Sequence, residues 1–89
     1  MAEEQDELIA AENRKKENCI HHLLQMCYES GVKVTDITPA YGLDNVMEAA
    51  TIYYADGSEK KVTLEGLSAL DMVKEIISKG RLGKGEWNE

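Results

Sequence analysis

The chain has 89 residues, 43% of them hydrophobic and 30% charged, with a formal net charge of −7 and a pI of about 4.8. That length holds one domain with one modest core, and the balance of apolar and charged residues is that of a folded chain. The acidic balance argues against a DNA- or RNA-binding surface, which needs clustered Lys and Arg, and against an anionic membrane surface.

The charge is unevenly placed. Residues 1–12 contain Glu3, Glu4, Asp6, Glu7 and Glu12 and no base; residues 13–17 add three bases and one acid; residues 18–89 hold eleven acids and seven bases. The opening MAEEQDEL is acidic where export signals begin basic, no apolar run is long enough to span a bilayer, and the chain has two Cys. The expectation is a cytoplasmic protein with free thiols, no membrane partner and no direct nucleic-acid partner.

Residues 2 to about 30 are expected to form a helix. Stepped at 100°, Cys19, Ile20, Leu23, Leu24, Met26, Cys27 and Tyr28 fall on one broad arc, opposite His21, His22, Gln25 and Glu29. Gly31 suits the left-handed residue that ends a helix. Towards the N-terminus the pattern breaks, because Glu12, Asn13, Lys16 and Glu17 land on the apolar arc. Leu8 and Ile9 recover it one or two turns further out. Residues 1–17 are therefore expected to be a partly solvated acidic helical arm, with the acids favoured at its start by the helix dipole.

Three strands are expected next. VKVTDIT (32–38) is β-branched, and TPAYGLDN (38–45) is turn-rich. MEAATIYY (47–54) and KKVTLE (60–65) flank Asp56-Gly57, a hairpin signal. A three-residue loop Asp56-Gly57-Ser58, pairing Ile52 with Val62 and Ala50 with Leu64, puts the apolar residues on one face and is the preferred register. SALDMVKEIISK (68–79) reads as a second helix with Ser68 as its cap. Ala69, Leu70, Val73, Ile76 and Ile77 lie on its apolar face. Residues 18–80 are thus the globular part, and 81–89 a flexible Gly-containing tail. The expected fold is α+β: a single small domain of α-β-β-β-α order, a three-stranded antiparallel meander with two helices packed on it. Ala49, Thr51, Tyr53, Lys61, Thr63 and Glu65 would line the uncovered face.

The stretch ENCIHHLLQMC (17–27) is rich in metal-binding residue types. Cys19 and Cys27, however, lie about 80° apart on the wheel and ~12 Å apart along the axis, too far to share one ion. Cys19, His22 and Met26 are closer, but no second Cys or His pair completes a shell. The helix-face reading accounts for every residue, so neither a metal nor a cofactor is expected. No nucleophile elbow, phosphate loop or dinucleotide fingerprint is present, and an enzyme is not expected.

The candidate partner-binding residues are Glu3, Glu4, Asp6 and Glu7 on the arm, Tyr53, Lys61 and Thr63 on the open sheet face, and Trp87, a residue type enriched at binding hot spots. The element order resembles that of double-stranded RNA-binding domains, but Ser68-Ala69-Leu70-Asp71 stands where that family opens its second helix with a basic run. The same order, with an acidic balance and an Asp-Gly hairpin, resembles small phage-encoded inhibitors of CRISPR effectors. That resemblance implies carboxylates presented where a nucleic acid would bind. The expected function is a non-enzymatic, acidic protein-interaction module, of the phage or mobile-element inhibitor type, that binds a basic protein surface. The alternative is a homo-oligomeric structural protein whose first helices pair through Leu8 and Ile9, with a homodimer as the simplest form.

Overall fold

A computed structural model describes residues 2–82, the side chains of residues 2–6 excepted. Two helices and three strands follow one another as α1 (Ala2–Ser30), β1 (Val34–Tyr41), β2 (Met47–Tyr54), β3 (Glu59–Thr63) and α2 (Ala69–Lys79). The strands form an antiparallel sheet in the order β1-β2-β3, and the two helices touch each other on one face of it. Ile20, Leu23 and Cys27 of α1 and Met72 and Ile76 of α2 join Val34, Ile37, Met47, Ala50, Ile52, Val62 and Leu64 in one buried cluster.

Two β-bulges make this core possible. Val34 and Ile37 are three residues apart, a spacing that a regular strand would send to opposite faces. The register shifts between Val34↔Tyr54 and Asp36↔Tyr53, leaving Thr35 as an extra residue, so both side chains reach the core. The Thr35 hydroxyl donates to the Tyr53 carbonyl at 3.2 Å, and the Tyr28 hydroxyl to the Thr35 carbonyl at 3.4 Å, so side chains cover the interrupted ladder. A second shift, between Ala40↔Ala49 and Tyr41↔Met47, leaves out Glu48 and turns Met47 inward beside Ala50.

β1 runs to Tyr41 and includes Pro39, where the sequence suggested a turn from residue 38. β1 is an edge strand, and an edge tolerates a residue with no N–H to donate. The hairpin loop has three residues, as expected, but it is Ala55-Asp56-Gly57. Ala50 therefore pairs with Val62 and Ile52 with Lys60, two residues away from the expected register. Gly57 decides this: at φ 91° it takes the left-handed place that closes such a loop, which only the third position offers. A two-residue slip keeps the same side chains facing the core, so the faces stand although the pairs change.

Both helices stop in the same way. After α1, Gly31 N–H bonds to the Tyr28 carbonyl and Val32 N–H to the Cys27 carbonyl; after α2, Arg81 bonds to Ser78 and Leu82 to Ile77. This is the Schellman arrangement, whose left-handed residue is usually Gly. It is Gly31 (φ 75°) after the first helix but Arg81 (φ 56°) after the second. Gly80 is needed one residue earlier, since a Cβ there would lie 2.4 Å from Ile52 Cδ1 and 2.7 Å from the Ile76 carbonyl. At the other end of α2, the Ser68 hydroxyl accepts from Asp71 N–H at 3.2 Å. The buried stripe is centred on Met72 and Ile76. Leu70, expected on it, is 67% exposed, because it sits off that stripe in the first turn. On α1 the buried arc is likewise narrower than expected. Met26 and Tyr28 flank it and are exposed.

Candidate functional site

The Cys- and His-rich stretch supplies packing. Ile20, Leu23 and Cys27 are buried, Cys19 and Leu24 half-buried, and His21, His22 and Met26 exposed. Burial pushes the Cys27 thiol pKa up, which favours the unreactive thiol form. Among the described residues no group of three His, Cys, Asp or Glu side chains is placed to hold a metal ion.

The polar middle of α1 is tied to the sheet. Asn13 Nδ2 donates to the Asn45 carbonyl at 2.7 Å, and the Tyr41 hydroxyl donates to Glu17. The Tyr41 pKa is pushed up to about 12, first by burial and then by the Glu17 hydrogen bond and charge, all of which favour the neutral phenol. Lys16 is only 6% exposed. No fully buried side-chain nitrogen lacks a partner among the described residues, so its stem is covered while its ammonium reaches water. Lys16 shares a shallow groove of about 200 Å³ with Leu8, Ile9, Glu12, Asn13 and Val46. The turn that docks here, Gly42–Val46, is closed by Gly42 N–H to the Val46 carbonyl at 2.9 Å and by Asn45 at φ 67°. Its Leu43 is 110% exposed and Leu8 of the arm 70%. Glu7 is exposed as well, while Glu3, Glu4 and Asp6 lie in the first turns of α1 with side chains outside the described residues.

The uncovered face of the sheet carries Asp36, Thr38 and Ala40 from β1, Ala49, Thr51 and Tyr53 from β2, and Glu59, Lys61 and Thr63 from β3. It brings Tyr53, Lys61 and Thr63 together as expected: Lys61 pairs with Thr51, one step from Tyr53, and Thr63 pairs with Ala49. Tyr53 is half-buried and the other two exposed. Ala49, expected to be open, is buried, being a small residue on the central strand among larger neighbours. Glu65 lies beyond the end of β3 and is not part of this face. Trp87 lies outside the described residues.

One feature escaped the sequence reading. A cleft of about 490 Å³ opens between the β2–β3 hairpin and the end of α2, lined by Lys33, Tyr54, Asp56, Ser58, Lys60, Lys79, Gly80 and Arg81. Its four bases come from three separate places in the chain, so no local run announces them. Asp56 is already engaged, accepting from Ser58 N–H at 2.9 Å and Ser58 Oγ–H at 2.6 Å, which holds its carboxyl below the ordinary range. The Tyr54 hydroxyl donates to the Gly80 carbonyl at 2.9 Å, fixing the hairpin to the helix end.

Comparison with protein-family models, with curated proteins and with solved structures gave no match. No helix among the described residues is long and apolar enough to cross a membrane.

Proposed function

We propose that this chain is a non-enzymatic protein-interaction module. It engages a basic protein surface through the end of the molecule formed by the start of α1 and the Gly42–Val46 turn. The observation that carries this reading is the exposure of two large apolar residues, Leu8 on α1 and Leu43 in the Gly42–Val46 turn, on a chain whose first helix opens in sequence with Glu3, Glu4, Asp6 and Glu7. Apolar anchors inside a charged rim are the usual anatomy of an interface. The first base after these acids is Arg14, so the start of α1 carries a run of acids that would steer a basic partner. Glu7 and Leu8 lie on α1 one to two turns before Asn13, whose side chain bonds to the Asn45 carbonyl of the Gly42–Val46 turn. The open sheet face, with Tyr53, Lys61 and Thr63, offers mixed charge and no large exposed aliphatic residue, and ranks second. An inhibitor of the phage or mobile-element type, filling a basic nucleic-acid channel, would use the acidic end in this way.

The exposed Leu8 beside Ile9 and the groove also favours a second reading, self-association through the first helices. Sedimentation velocity separates the two readings. A monomer that captures a basic protein supports the first. A dimer that Leu8→Glu dissociates, with no foreign protein captured, supports the second.

A further inference from the structure

The basic cleft is at odds with the rest of the molecule. Four bases and one acid line it, a formal +3 on a chain whose total is −7. Lys33 precedes β1, Lys60 lies in β3, Lys79 closes α2 and Arg81 follows it, so three elements converge to gather the charge. Among the described residues none of the four forms an ion pair. The single carboxylate at the site, Asp56, is turned into its own loop by Ser58.

A helix end attracts cations by its dipole, and that accounts for Lys79. It does not account for Lys33 and Lys60, which belong to other elements. Nor does it account for Arg81, which occupies a left-handed position that the equivalent place after α1 gives to Gly31. Arg81 is thus a cation where glycine would fit the backbone more easily. Four carbonyls at this helix end already accept hydrogen bonds: Ile76 and Ile77 from Gly80 and Leu82, Ser78 from Arg81, and Gly80 from Tyr54.

We propose that this cleft binds a small, multiply charged phosphate anion of the pyrophosphate type, held by Lys33, Lys60, Lys79 and Arg81. Arg81 grips it through paired N–H groups, and the lysines act as point charges around it. Compact, high negative charge matches four cations that have no ion-pair partner among the described residues, around a cleft of this size, whereas a monocarboxylate would leave most of them unanswered.

The test is a titration of the full-length chain with inorganic pyrophosphate, followed by amide NMR. The expected result is saturable shifts confined to Lys33, residues 55–60 and residues 79–82, with a Kd of about 0.1–1 mM. Affinity should fall as salt rises. Arg81→Gly should weaken binding by about tenfold or more, the loss of charge-assisted hydrogen bonds, while the variant unfolds at higher urea than the parent. That second readout separates lost binding from lost folding. Lys60→Gln should weaken binding too, and Lys15→Gln, on the far part of α1, should leave it unchanged. No saturable shift, shifts spread equally over Lys15 and Lys74, or an Arg81→Gly chain that binds like the parent would overturn the proposal.

Discussion

Adjacent residues 80 and 81 should respond to substitution in opposite directions. Gly80 has φ −81° and ψ −5°, a conformation open to any residue. Judged on backbone freedom alone, Gly80→Ala would stabilise by about 0.4–1 kcal/mol through the unfolded chain. The new Cβ, however, would sit 2.4 Å from Ile52 Cδ1 and 2.7 Å from the Ile76 carbonyl. Neither neighbour yields easily: Ile52 is fully buried, and the Ile76 carbonyl accepts Gly80's own N–H at 2.8 Å. Overpacking of this kind costs about 1–3 kcal/mol, so the net is a loss of up to about 2.6 kcal/mol, centred on about 1.3. Arg81→Gly works the other way. Relief of a left-handed non-glycine residue gives back about 1–2 kcal/mol, from which the freer unfolded chain removes about 0.4–1, for a net gain of up to about 1.6 kcal/mol. Urea denaturation with a common m-value reads both changes. A Gly80→Ala chain as stable as the parent, or both variants shifting in the same direction, would refute this account of the helix end.

Three further outcomes follow from the packing and the hydrogen bonds. One of the four tyrosines, Tyr41, should titrate near 12. Its folded pKa lies above the unfolded value of about 10, so its contribution is complete below that value and is lost as pH rises through 12. Glu17→Gln should bring the phenol back towards ordinary behaviour in a spectrophotometric titration, and no change on that substitution would count against the pairing. Asp56 has a depressed pKa, so its contribution is present at neutral pH and is lost as pH falls through the folded value. Ser58→Ala should raise that pKa, read by carboxyl NMR, because the 2.6 Å hydroxyl bond disappears. Ile52→Ala, emptying a fully buried site between sheet and α2, should cost about 2–5 kcal/mol in chemical denaturation; a cost under about 1 kcal/mol would mean that the core is not packed around this residue.

Much of the architecture was legible because it rests on local signals. Ser68 capping α2, Gly31 ending α1 and the period-two run of β2 each declare an element without reference to the rest of the chain. The hairpin was nearly legible. Asp56-Gly57 marks the turn, but the loop frame depends on which position must be left-handed, and Gly57 at φ 91° settles it. The bulges at Thr35 and Glu48 were not legible, since an extra residue in one strand breaks the period-two alternation that marks a strand. Lys16 falls on the apolar arc of the wheel, where a charged residue breaks the pattern, yet it is buried to 6% exposure beside the groove that includes Val46. On the functional side, the shared face of Tyr53, Lys61 and Thr63 followed from alternation. The basic cleft did not, because Lys33, Lys60, Lys79 and Arg81 meet only after the hairpin folds against the end of α2.

Affinity capture with mass spectrometry decides whether the acidic and apolar end of the molecule is a protein-binding surface. Three chains are compared: the parent, Leu8→Glu/Leu43→Asp, and Tyr53→Ser/Lys61→Glu. The account predicts a basic protein that is retained by the parent and by the sheet-face variant, released by moderate salt, and lost by the Leu8/Leu43 variant with its fold intact. Equal capture by all three chains, or loss confined to the sheet-face variant, would contradict it.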